Sequence, residues 1–152
     1  MIANKLKNIK MARKLVTKLS NRQCFTLTEK DTLKTASEKL EKHNVGFMPV
    51  LNKNDNSVIG IISERDLAQY IHKDNFKSDL LVGEIMTRKI ISCNLNTSVT
   101  ELMEIISNHK IRHIPIIEEK KLLGIVSIGD IVNHIIEQYK DENLQLRNFI
   151  NQ

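Results

Sequence analysis

Gly60-Ile-Ile-Ser63-Glu-Arg65-Asp66 and Gly124-Ile-Val-Ser127-Ile-Gly129-Asp130 write one pattern, Gly-x-x-Ser-x-x-Asp, twice in a chain of 152 residues. Each copy sits where a β-branched run (Val58-Ile-Gly-Ile-Ile62, Leu122-Leu-Gly-Ile-Val126) gives way to helical periodicity, so each marks a strand-to-helix junction. The helices are predicted over Ser63 to about His72 and Ser127 to about Gln138. Upstream of each strand lies a proline-bearing apolar run, Phe47-Met-Pro-Val-Leu51 or Ile114-Pro-Ile-Ile117. A polar turn follows it, Asn52 to Ser57 or Glu118 to Lys121. Further upstream, apolar residues at three- and four-residue spacing (Leu33, Ala36, Leu40; Val99, Leu102, Met103, Ile106) predict amphipathic helices over Thr32–His43 and Ser98–His109. Ser98 and Glu101 form a capping-box pattern at the start of the second helix.

The match extends over the whole unit. An offset of 66 residues places Thr32 on Ser98, His43 on His109 and Pro49 on Pro115; two extra residues in the first polar turn then reduce it to 64. Short strands are expected at about Cys24 to Leu27 and Ile90 to Cys93, giving strand, helix, strand, strand, helix in each copy. One such unit cannot bury both faces of its small sheet, so the two should pack together about a pseudo-two-fold axis in a mixed α/β (α+β) fold. The expected divisions are a basic amphipathic helix over 1–20, repeat 1 over 21–72, a connector over 73–89, repeat 2 over 90–138 and a helical extension over 139–152. A polar break is expected near Lys140 to Asn143.

Composition narrows the class. Aromatics make up 4% and tryptophan is absent, so the core is aliphatic. No stretch approaches the roughly 18 apolar residues of a membrane span, and no secretory leader pattern opens the chain. The expectation is a cytoplasmic protein. Cys24 and Cys93 match neither a metal pair nor a disulfide framework and read as small buried apolar residues. The formal charge of +5 is unevenly spread: residues 1–28 hold seven of the 23 basic residues and none of the 18 acidic ones. Ile2, Leu6, Ile9, Val16 and Leu19 fall on one helical face there. Docking on the repeats or on a sister chain is the preferred reading over an anionic membrane or nucleic acid, since no base-reading pattern accompanies the charge. A transit peptide is a further alternative, against which stand the excess of lysine over arginine and the scarcity of serine.

At the repeated junctions, a helix amino terminus offers unpaired N–H groups and a positive dipole end to a phosphate. The aspartate is an acceptor for a ribose diol, and the serine a hydroxyl donor. Ser-x-x-Asp is equally a capping-box variant that needs no ligand, and a duplicated unit would duplicate its caps. His43 and His109 suit helix carboxyl ends better than a metal site, for no carboxylate or cysteine stands at ligand spacing. No nucleophile-elbow or oxyanion pattern surrounds any Cys and His, so no catalysis is expected.

Met86-Thr87, Arg112-His-Ile-Pro-Ile116, Ser63-Glu-Arg-Asp-Leu67 and Gly124-Ile-Val-Ser-Ile-Gly-Asp-Ile131 together resemble the cystathionine-β-synthase (CBS) domain family. Over about residues 20–138 the chain resembles the CBS pair, or Bateman module, of small stand-alone bacterial proteins. That resemblance implies an inter-repeat cleft for an adenine nucleotide, AMP foremost, with ATP, ADP or NAD as alternatives. It makes Asp66 and Asp130 ribose ligands, Ser63 and Ser127 ribose or phosphate contacts, and Arg65, Arg112 and His113 phosphate contacts. Gly129 stands where repeat 1 has Arg65, and Gly46 and Phe47 stand where repeat 2 has Arg112 and His113, so the two sites are expected to differ in occupancy. The resemblance also implies a disc-like homodimer and a regulated partner protein. The competing reading is a ligand-free interaction scaffold working through its basic amino-terminal helix.

Overall fold

The computed structural model describes residues 15–73 and 77–150. Repeat 1 comprises β1 (Leu27–Thr28), α1 (Leu33–His43), β2 (Phe47–Leu51), β3 (Val58–Ser63) and α2 (Glu64–His72). A one-turn helix, α3 (Val82–Ile85), follows in the connector. Repeat 2 comprises α4 (Val99–His109), β4 (His113–Glu118), β5 (Lys121–Ser127) and α5 (Ile128–Ile150). β1 runs parallel to β2, which pairs antiparallel with β3; β4 and β5 form the matching antiparallel pair. The sheets meet edge to edge where Val58 N donates to Lys120 O at 2.8 Å and Ser57 bridges Lys121.

The first strand of each unit is shorter than its sequence suggests. It spans Leu27–Thr28 rather than Cys24 to Leu27, and in repeat 2 it shrinks to Cys93, whose N–H donates to Pro115 O at 3.0 Å and whose carbonyl accepts from Ile117 N–H at 2.9 Å. Proline explains part of this. Lacking an N–H, Pro115 offers that edge only its carbonyl, and Pro49 lies just ahead of the two residues, Val50 and Leu51, that pair with β1.

Local devices repeat with the sequence. Thr32 and Ser98 cap α1 and α4 by accepting from Thr35 N and Glu101 N, and left-handed Asn44 and Lys110 close the same helices. The hairpins differ. Glu119 and Lys120, both at positive φ, form a two-residue turn whose handedness matches the strand twist, whereas Asn52 to Ser57 makes the longer loop that absorbs the two extra residues.

Each repeat's core is completed by the segment that precedes the other repeat. Val82 and Met86 of the connector pack with Leu27, Leu33, Met48, Val50 and Ile62 of repeat 1. Leu15, Val16 and Leu19 of the amino-terminal segment, helical over 15–19, pack with Leu102, Ile114, Ile116, Val126 and Ile131 of repeat 2. These three side chains are at most 5% exposed, and burial of each contributes about 1.5–3 kcal/mol. The amino-terminal segment thus docks on the repeats as far as it is described; its apolar positions at Ile2, Leu6 and Ile9 lie outside the described residues. The two glycines of the repeated pattern make room for these segments. A Cβ on Gly60 would meet Met86 Sδ and Thr87 O, and one on Gly124 would collide with the carbonyl of Leu19.

Two readings of the chain are corrected. α5 continues through Lys140 to Asn143 without a break: Lys140 and Glu142 are good helix formers, and Asp141 and Asn143 each cost less than about 0.7 kcal/mol relative to alanine in a solvated helix. Cys24 is half-buried rather than buried, its thiol lying 3.5 Å from Arg22 O, while Cys93 is in the core, where burial pushes its thiol up to about 12. Among the described residues no helix is long and apolar enough to cross a membrane.

Candidate functional site

Both junctions adopt the same closed arrangement. Ser63 N–H and Oγ–H donate to Asp66 Oδ2 at 2.8 and 2.7 Å, and Asp66 N–H donates back to Ser63 Oγ at 3.3 Å. Ser127 and Asp130 repeat this at 2.8, 2.7 and 3.1 Å. A further bond ties each junction to the residue just ahead of β2 or β4: Glu64 N–H donates to Gly46 O at 3.1 Å, and Ile128 N–H to Arg112 O at 2.9 Å. The capping box therefore exists in both copies and occupies each serine hydroxyl and one oxygen of each aspartate. What remains for a ligand is Oδ1.

The two Oδ1 atoms have different neighbours. Among the described residues, Asp66 Oδ1 receives only Thr87 Oγ1–H, at 3.4 Å. Asp130 Oδ1 receives Arg22 Nη2–H at 3.0 Å while Arg22 Nη1–H reaches Oδ2 at 3.3 Å, a two-pronged ion pair. Burial raises the Asp130 carboxyl, but the Ser127 hydrogen bonds and the Arg22 guanidinium outweigh it and hold the group below its ordinary value.

A cleft of about 440 Å³ opens at the first junction, within the range of small-molecule sites. Ser63, Arg65 and Asp66 line it from repeat 1, and Arg112 and His113 from repeat 2. Ser127, Gly129 and Asp130 lie at the other junction, so the predicted site residues divide into two sets. The apolar wall comprises Phe47, Ile61, Ala68, Ile91 and Ile111, and the charged rim includes Lys89. His113 stacks on Phe47 with ring centroids 5.4 Å apart. Burial pushes its imidazole down; Asp130 opposes this, Arg112 adds to it and Glu64 opposes it. Arg65 Nη1–H donates to Lys110 O at 3.3 Å, tying α2 to the closing residue of α4 across the repeats.

Lys89, Ile91 and Ile111 escaped a residue-level reading of the sequence, and Thr87 entered it only within the Met86-Thr87 signature; only the fold carries the connector over Gly60. Arg22 escaped it entirely, since nothing in sequence joins it to Asp130, 108 residues away. A groove of similar volume along α4 presents Glu101 and Glu104 but none of the arginines or lysines that an anionic ligand needs. Among the described residues no group of three or more His, Cys, Asp or Glu could hold a metal ion. His43 ends α1 stacked on Phe25 at 3.6 Å.

Two strand-helix-strand-strand-helix units, each with its core completed by the segment that precedes the other, define a tandem CBS pair. The CBS domain family matches residues 12–73 and 82–137, and the chain belongs to that family. A mitochondrial CBS domain-containing protein of Arabidopsis thaliana, CBSX3, is 35% identical over 127 residues, covering 81% of this chain and 62% of that protein, so the chain spans about three-fifths of this relative's length. A solved CBS-domain protein from Agrobacterium tumefaciens is 31% identical with a TM-score of 0.71, covering 80% of this chain and 95% of that one. The same fold occurs in CBSX2 solved in complex with AMP, at 20% identity and a TM-score of 0.71, covering 82% of this chain and 97% of that one.

Proposed function

We propose that the chain is a regulatory module that binds one adenine nucleotide, AMP foremost, in the cleft at Asp66 and signals its occupancy to a partner protein without chemistry on the ligand. The observation that carries this reading is the unequal state of two otherwise identical carboxylates: Asp66 keeps Oδ1 open to a cleft, while Asp130 is held by Arg22. Phe47, Ile61 and Ile111 offer an apolar slot for the base, Asp66 an acceptor for a ribose hydroxyl, and Arg112, Arg65 and Lys89 cationic partners for phosphate. The AMP complex of a protein with this fold is in keeping with that ligand class. The lining comes from both repeats, so a bound nucleotide bridges them. It shifts their relative geometry by its differential affinity for the two states.

Thermal unfolding with AMP, ADP, ATP and NAD in turn tests the reading. A ligand at about 100 times its Kd should add roughly 2.7 kcal/mol of stability. Failure of all four to shift unfolding would refute it and favour the ligand-free scaffold.

A further inference from the structure

The last helix continues past the repeats. From residue 141 to 150 every side chain of α5 is exposed, including Leu144 at 58%, Leu146 at 60%, Phe149 at 79% and Ile150 at 78%. Ten residues of unsupported helix are marginal in water, and a helix in that position gains stability from a partner that buries its apolar face. The spacing specifies the partner. Val132, Ile136, Tyr139, Leu146 and Ile150, all exposed, recur at alternating four- and three-residue steps once Asn143 is counted as the missing position. In heptad terms Ile136, Asn143 and Ile150 occupy a, and Val132, Tyr139 and Leu146 occupy d.

We propose that this stripe is the seam of a short parallel two-stranded coiled coil between two copies of the chain. Charge and polarity select that occupant. In a parallel pair, Glu142 at g faces Arg147 at e of the second copy, an opposite-sign contact; an antiparallel pair sets like positions against each other, and the e residues Lys140 and Arg147 are both cationic. A lone asparagine at a pairs with its own counterpart in a parallel two-stranded coil, and so fixes register and strand number. Ile131 and Ile135 face the repeat 2 core instead, so the same helix serves the module with one side and the second copy with another.

Cross-linking and mass decide the matter on the full chain. Leu146→Cys lies on the seam and Leu144→Cys beside it. Under mild oxidation at micromolar concentration the seam variant should form covalent dimer at least fivefold more completely than the Leu144 variant or the unaltered chain. Light scattering should give twice the chain mass, and Asn143→Ile should raise the mass further by relaxing the two-strand preference. A monomeric mass, equal cross-linking at both positions, or a dimer indifferent to Asn143→Ile would overturn the proposal. None of these readouts depends on nucleotide binding.

Discussion

The two junction carboxylates have the same cap, the same serine and the same strand behind them, yet different segments cross above them. Over Asp66 the connector brings Thr87, a weak hydroxyl donor at 3.4 Å; over Asp130 the amino-terminal segment brings Arg22, a charged two-pronged donor. The repeats share the serine–aspartate cap, and they differ in the basic side chains beside it and in the segment that covers it. Function in such a fold is set as much by the segments that complete each core as by the repeated motif.

The most severe way to break this comparison is to alter the carboxylates in turn. Asp66→Asn keeps a carbonyl oxygen for the cap but removes the charge and one acceptor. A hydrogen bond to a charged group is worth about 1.5–3 kcal/mol, so nucleotide affinity should fall roughly 10- to 100-fold by titration calorimetry. Asp130→Asn should leave it within about threefold. Equal losses at both positions would mean that the two junctions are equivalent and that Arg22 does not guard the second.

The glycines give the next effect. At Gly60 the nearest atoms to an added methyl belong to the flexible Met86 side chain, which can move aside; at Gly124 they belong to the Leu19 backbone. Gly124→Ala should therefore cost about 1–3 kcal/mol in denaturant unfolding, as overpacking does, and Gly60→Ala less. Stability equal to the parent in Gly124→Ala would show that the amino-terminal segment is not pinned there.

Much of this was legible in the sequence, because periodicity, turn residues and duplication all act locally. The helices at Leu33–His43 and Val99–His109, the proline-bearing strands and the two Ser-x-x-Asp junctions follow from residues within a dozen positions of one another. What escaped was long-range. The exchange of segments between cores joins Leu19 to Gly124, and the ion pair joins Arg22 to Asp130; neither leaves a periodic trace. The expected break near Lys140 failed for a different reason: a solvated polar run is as compatible with helix as with a turn when nothing packs against it.

His113 offers a smaller effect. Its imidazole is pushed below the ordinary value near 6.5, first by burial, so folding favours the neutral form. That contribution is complete above the ordinary value and is lost as pH falls from there toward the depressed folded value. A phosphate beside the ring acts in the opposite direction, favouring the imidazolium. Nucleotide affinity should therefore rise as pH falls through this range, by at most about tenfold if binding raises the His113 pKa by one unit. Comparison with His113→Gln removes the titration of the ligand itself, and parallel pH profiles would exclude His113 from the phosphate contact.

Arg22→Ala should have the least effect on stability and the most informative one on binding. The Arg22 side chain is 53% exposed, so the pair is worth no more than about 1 kcal/mol. Because the Asp130 carboxyl is held below its ordinary value in the folded chain, that stabilisation is present at neutral pH and is lost as pH falls through the depressed value. The variant and the parent should therefore converge in acid. Calorimetry reads the other consequence: with Asp130 Oδ1 freed, nucleotide per chain should rise from one toward two, the new site binding more weakly because repeat 2 carries Gly129 where repeat 1 carries Arg65. A stoichiometry fixed at one in both proteins would place the asymmetry in the missing basic side chains rather than in the arginine that covers the carboxylate.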